Sequence, residues 1–138
     1  MEYLQQKINL LEGGITGTPL DEDDITQTMQ ELAAGGMPAI PEEMLAFLRR
    51  YNGFLYDGRC IFGIDNRRHF LYDLLGENLA TDNPEPANIL LLGATDMTYI
   101  AWLNEPKRYC IIDKATFMVL HKLKSFNDAV EYILKIND

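Results

Sequence analysis

The chain has 138 residues, which is one domain by length and enough to bury roughly two thirds of the surface it would expose unfolded. Apolar residues make up 47% of it and aromatics 10%, and runs such as Ile89 to Leu92 fall far short of the ~20 apolar residues that span a bilayer, which excludes a transmembrane reading. Twenty-one acids against twelve bases give a net charge of −9, without the basic face that a nucleic-acid binder needs.

Leu4, Ile8 and Leu11 recur at helical spacing and Gly13-Gly14 stops them, so residues 1–18 read as a short helix and a glycine-rich connection to a core over 19–138. Thr18 as N-cap, with Pro19 at the first helical position and Asp21 three residues on, predicts a second helix that buries Ile25, Met29 and Leu32 and stops at Gly35-Gly36. Pro41 opens a third. Glu42 and Glu43 favour its positive end, Met44, Leu45, Phe47, Leu48 and Tyr51 form its apolar stripe, and Asn52-Gly53 ends it in a left-handed cap. Asp57-Gly58 is a two-residue turn between Phe54-Leu55-Tyr56 and Arg59-Cys60-Ile61-Phe62. Phe70-Leu71-Tyr72 reads as a short strand, and the segment from Asp73 to Pro86 as a helical turn plus a loop broken by Pro84 and Pro86. Ile89 to Leu92, Tyr99 to Leu103, Arg108 to Ile112 and Phe117 to His121 are β-rich runs separated by turn residues, the pattern of an antiparallel meander. Ser125 caps a last helix whose apolar face holds Phe126, Ala129, Val130, Ile133 and Leu134, with Asp128 as its capping-box partner. The expectation is an α+β single domain: an antiparallel sheet of about five to six strands between N-terminal helices and a C-terminal helix.

Ile40-Pro41, Phe47-Leu48, Tyr51-Asn52-Gly53 and Gly63, in that order, followed by Leu92-Gly93, Asp96 and the closing SFNDAVEYIL, resemble the SUKH superfamily of Smi/Knr-type domains. The spacing Asn-Gly-Phe-Leu-Tyr-Asp-Gly is most similar to its YrhA-like branch, and the likeness covers roughly residues 20 to 138. The resemblance implies a protein-binding domain. Many bacterial members are immunity proteins that neutralise a cognate polymorphic toxin, often a nuclease or deaminase, and yeast relatives are regulators linked to cell-wall synthesis.

Catalytic chemistry is hard to find. The single serine, Ser125, is accounted for as a helix cap. Cys60, Cys110, His69 and His121 show neither the close pairing of zinc ligands nor a local cysteine-protease signature, so no metal and no cofactor is expected. Both cysteines sit in strand-like apolar runs and read as buried thiols in a reducing compartment rather than as a bridge. The run Asp21-Glu22-Asp23-Asp24 lacks the spacing and glycine of a calcium loop and suits the start of a helix. Gly13-Gly14-Ile15-Thr16-Gly17-Thr18 lacks the lysine and the preceding strand of a phosphate loop. Arg67-Arg68 beside His69 is a small basic spot, more often a solvated hairpin edge than a phosphate clamp.

A Met-Glu-Tyr-Leu opening carries acid where a signal peptide carries base, so a cytoplasmic location is expected. Acidity favours a basic protein partner, such as a toxin domain, or serves solubility alone. Recognition is expected on exposed turns and the irregular segment, at Asp57, Asp73, Glu77, Asp82 and Asp96, with Trp102 as an apolar anchor if its strand face is open. A monomer or weak homodimer is expected. The alternatives are a regulatory scaffold, or a small-ligand domain with a pocket where Asp57, Asp65, Asp73 and Asp96 converge.

Overall fold

The computed structural model of the protein describes residues 20–65 and 72–134. Two helices, α1 (Glu22–Ala34) and α2 (Glu42–Leu48), precede a hairpin of β1 (Phe54–Tyr56) and β2 (Arg59–Ile61). Then come α3 (Leu74–Ala80), strands β3 (Ile89–Ala94), β4 (Thr98–Leu103), β5 (Arg108–Asp113) and β6 (Val119–Leu123), and α4 (Phe126–Leu134). The six strands form one antiparallel sheet in the order β1-β2-β3-β4-β5-β6, so the fold is α+β as the pattern predicts. The first expected helix, with Leu4, Ile8 and Leu11, the Thr18-Pro19 helix start, the Arg67-Arg68-His69 spot and Phe70-Leu71 of the expected short strand lie outside the described residues.

Local differences follow from competing hydrogen bonds. α1 begins at Glu22, where the Asp21 carboxylate accepts the Asp23 N–H at 2.9 Å and three acids follow in the first turn. α2 begins one residue after Pro41 and stops at Leu48, short of the expected Asn52-Gly53 cap. Tyr51 still donates its N–H to the Phe47 carbonyl at 2.9 Å and sets its ring 5.7 Å from that of Phe47. Asn52 is engaged elsewhere: it accepts the Ile64 N–H and donates to the Ile64 carbonyl, both at 2.8 Å. Phe117, expected to open β6, lies at φ 60 in the turn before it.

β2 pairs with β3 at Cys60–Ala94 and Ile61–Gly93, which among the described residues leaves the first half of β3 without a strand on that side. α3 fills the gap. Its buried Asn78 accepts the Leu91 N–H and donates to the Leu91 carbonyl, both at 2.8 Å, and Asn83 donates to the Ile89 carbonyl at 2.8 Å. Two carboxamides thus satisfy a strand edge that would otherwise bury unpaired backbone.

The core joins the sheet to α2 and α4. Phe47, Phe62, Phe126, Leu48, Leu90 and Ile111 are fully buried, and the Phe126 ring stands 5.4 Å from Phe47 edge to face and 5.8 Å from Tyr109. Ser125 caps α4 as expected, accepting the Asp128 N–H at 3.3 Å, while Glu43 of α2 accepts the Phe126 N–H at 3.3 Å. No described helix is long and apolar enough to cross a membrane.

Candidate functional site

The meander places three of its turns at one end of the sheet: Asp57-Gly58, the turn around Asp96-Met97, and the turn over 114–118. Asp57 (φ 52) and Gly58 (φ 76) both take the positive φ that a tight hairpin turn between right-twisted strands requires. A Cβ on Gly58 would stand 3.7 Å from a carboxylate oxygen of Asp96, so the first two turns are neighbours. Thr95 organises the second: its hydroxyl accepts from the Thr98 N–H at 3.1 Å and the Met97 N–H at 3.3 Å and lies 2.6 Å from the Thr98 hydroxyl. The Asp113 carboxylate organises the third by accepting the N–H groups of Ala115 and Thr116 at 2.8 and 2.9 Å, and those bonds hold its pKa below the usual carboxylate value. Lys114 then donates its N–H to the Met97 carbonyl at 3.1 Å, tying the third turn to the second.

Two methionines project from this rigid platform. Met97 is 72% exposed and Met118 65%, and Val119 and Leu120 continue the apolar surface along the open edge strand β6. Beneath them Tyr99 and Phe117 pair at 5.8 Å, with the Lys114 ammonium 5.2 Å above the Tyr99 ring. Arg59 leans over the Tyr56 ring and reaches the exposed Asp57 carboxylate at 3.7 Å, and its buried Nε has no hydrogen-bond partner among the described residues.

The expected recognition acids are therefore dispersed. Asp57 and Asp96 come together on the turns, both exposed. Asp73 is structural: its two oxygens accept the Asp65 N–H at 2.9 Å and the Gly76 N–H at 3.0 Å, capping α3. Glu77 is half-buried, and burial raises its pKa against the pull of Lys114 and with a smaller push from Asp73. Asp82 is exposed in the loop after α3. Asp65 and Asp73 meet where the chain leaving β2 passes the start of α3, so the four aspartates of the small-ligand alternative form two separate pairs.

Trp102 belongs to another place. It is half-buried at the opposite end of β4, its ring 4.8 Å from Tyr109 directly across the strand pair. These two rings, Leu123, Lys107, Arg108, Lys122, Lys124 and Glu43 line a groove of about 540 Å³. Sequence reading singled out Trp102 but missed the cations around it, because Lys107, Arg108, Lys122 and Lys124 are brought together only by the β5–β6 pairing.

Cys60 and Cys110 are free and buried, and burial pushes both thiols up to about 11. Among the described residues no three His, Cys, Asp or Glu side chains stand together where they could hold a metal ion. The chain matches no family model, no curated protein and no solved structure.

Proposed function

We propose that the protein is a non-catalytic binding domain that neutralises a basic toxin domain by forming a stoichiometric complex with it, the function that the resemblance to SUKH immunity proteins implies. The observation that supports this reading most is the turn platform, where Met97 and Met118 stand exposed beside the carboxylates of Asp57 and Asp96. Exposed methionines are adaptable apolar anchors, and scattered carboxylates around them suit the Lys and Arg that a nuclease uses to hold phosphate. Hydrogen bonds within and between the turns hold the platform in shape, so binding need not order it first.

The test is co-expression with any toxin domain that a gene adjacent to this one encodes. Protection, together with a one-to-one complex, is the expected result. Asp57→Lys with Asp96→Lys should lower the association rate without moving the melting midpoint, and Met97→Glu with Met118→Glu should raise the dissociation rate. A cell left unprotected despite full expression would turn the assignment toward the regulatory or scaffold role.

A further inference from the structure

We propose that the groove at the far end of the sheet is a second binding surface, one that takes an extended acidic segment of another protein. It goes beyond the turn platform, from which it is separated by the length of the strands, about 20 Å for six residues.

Two rows of side chains build the groove. Trp102, Tyr109 and Leu123 are successive partners across β4, β5 and β6, so they form one apolar row on a single face. Lys122 lies opposite Cys110, and Arg108 is two residues before Cys110, so these two cations belong to the other face, with Lys124 next in the same alternation just past the strand. Lys107 completes the cationic side from the β4–β5 turn, where it is held at φ 64, a region that non-glycine residues seldom occupy. All four cations are exposed, and none forms an ion pair among the described residues.

Charge selects the ligand. The whole chain carries −9, yet Lys107, Arg108, Lys122 and Lys124 gather four bases at this groove. At physiological salt the screening length is about 8 Å, so the groove's own charges outweigh acids elsewhere on the molecule. Three carboxylates do stand nearby. Glu43 accepts the Phe126 N–H and a hydrogen bond from the Tyr109 hydroxyl, and Asp128 accepts the Lys124 N–H at 3.3 Å, so both are already engaged by donors at the start of α4. Glu105 is exposed on the same turn as Lys107.

Spacing selects an extended peptide. Lys122 and Lys124 lie two residues apart, about 7 Å along a strand, which is the spacing of alternate side chains in an extended segment. Among the described residues the outer side of β6 has no neighbour in the sheet, so a peptide can run along it with its carboxylates toward Lys122 and Lys124.

Trp102 is the chain's single tryptophan, so its fluorescence reports the groove alone. A capped oligo-glutamate peptide titrated into the protein at low salt is expected to change that emission saturably, and added salt should weaken the effect. Lys122→Glu should weaken binding by roughly fivefold, whereas Arg50→Glu, the same change in net charge at a site after α2, should leave it within error. No saturable change, or an equal loss in the Arg50 variant, would overturn the proposal. Saturation by inorganic phosphate at the same concentration would reduce the groove to a general anion site, and tighter binding of an oligothymidylate would assign it to nucleic acid. Self-association that Lys122→Glu abolishes would make a second copy of this chain the occupant. None of these readouts involves the toxin, so failure here leaves the turn-platform reading standing.

Discussion

Asn52 grips Ile64 as a strand would, accepting its N–H and donating to its carbonyl at 2.8 Å each. The approach is close enough that a Cβ on Gly63 would stand 2.7 Å from the Asn52 carbonyl oxygen. The Asn-Gly pair after α2 and the glycine after β2 are thus two sides of one contact.

Asn52→Ala is expected to destabilise the fold by about 2 to 4 kcal/mol, because it leaves a buried N–H and a buried carbonyl unsatisfied. Gly63→Ala should be comparably damaging through backbone collision. Urea melts of both variants decide the matter, and a loss below about 0.5 kcal/mol for Asn52→Ala would mean water replaces the carboxamide.

Phe47 is fully buried between Tyr51 and Phe126, so Phe47→Ala should cost about 3 to 5 kcal/mol. Ser125→Ala removes only an N-cap bond at the start of α4 and should cost about 1 kcal/mol. The contrast between the two midpoints is the measurement, and equal losses would place Phe47 outside the cooperative core.

Two carboxylates bias stability in opposite directions with pH. Glu77 titrates higher folded than unfolded, so its favourable contribution is complete below its unfolded pKa and is lost as pH rises through the folded value. Glu77→Gln should therefore raise the melting midpoint at pH 7 and change it little at pH 4. Asp113 titrates lower when folded, so its contribution is present above its unfolded pKa and is lost as pH falls through the folded one, and Asp113→Asn should flatten that acid limb. Thermal melts of the two variants across pH would refute this account if their pH dependence ran the same way.

Both thiols, raised to about 11 by burial, should resist a thiol-specific reagent at pH 8 in the native state and react together in urea. Rapid native labelling of either one would show that its strand opens locally.

Hairpin and helix signals with a short-range cause were readable in the chain. Asp57-Gly58 demands positive φ at two adjacent residues, and the alternation from Ile89 to His121 marks a meander whose strands are each joined by a brief turn. Features made by partners distant in sequence were not. Asn52 looks like a helix cap until Ile64 arrives, Asp73 looks like an exposed recognition acid until the Asp65 and Gly76 N–H groups occupy it, and Asn78 shows no sign of serving β3. The basic groove escaped for the same reason, since its cations come from two strands and a turn within a chain whose totals are acidic.

The sequential strand order also orders the folding reaction. β1 pairs with β2, and β3 to β6 pair in succession, across short turns, so these two parts of the sheet can each zip one short loop at a time with little entropy lost per step, while β2 meets β3 only after the segment that holds α3. The long closure is the return of α4, which joins Phe126 to Glu43 across 83 residues. That closure is expected after the barrier, so truncating Phe126 should mainly accelerate unfolding, whereas weakening the β4–β5 hairpin at Ile111 should slow folding. Stopped-flow rates for the two variants would reverse this order if the helix docked first.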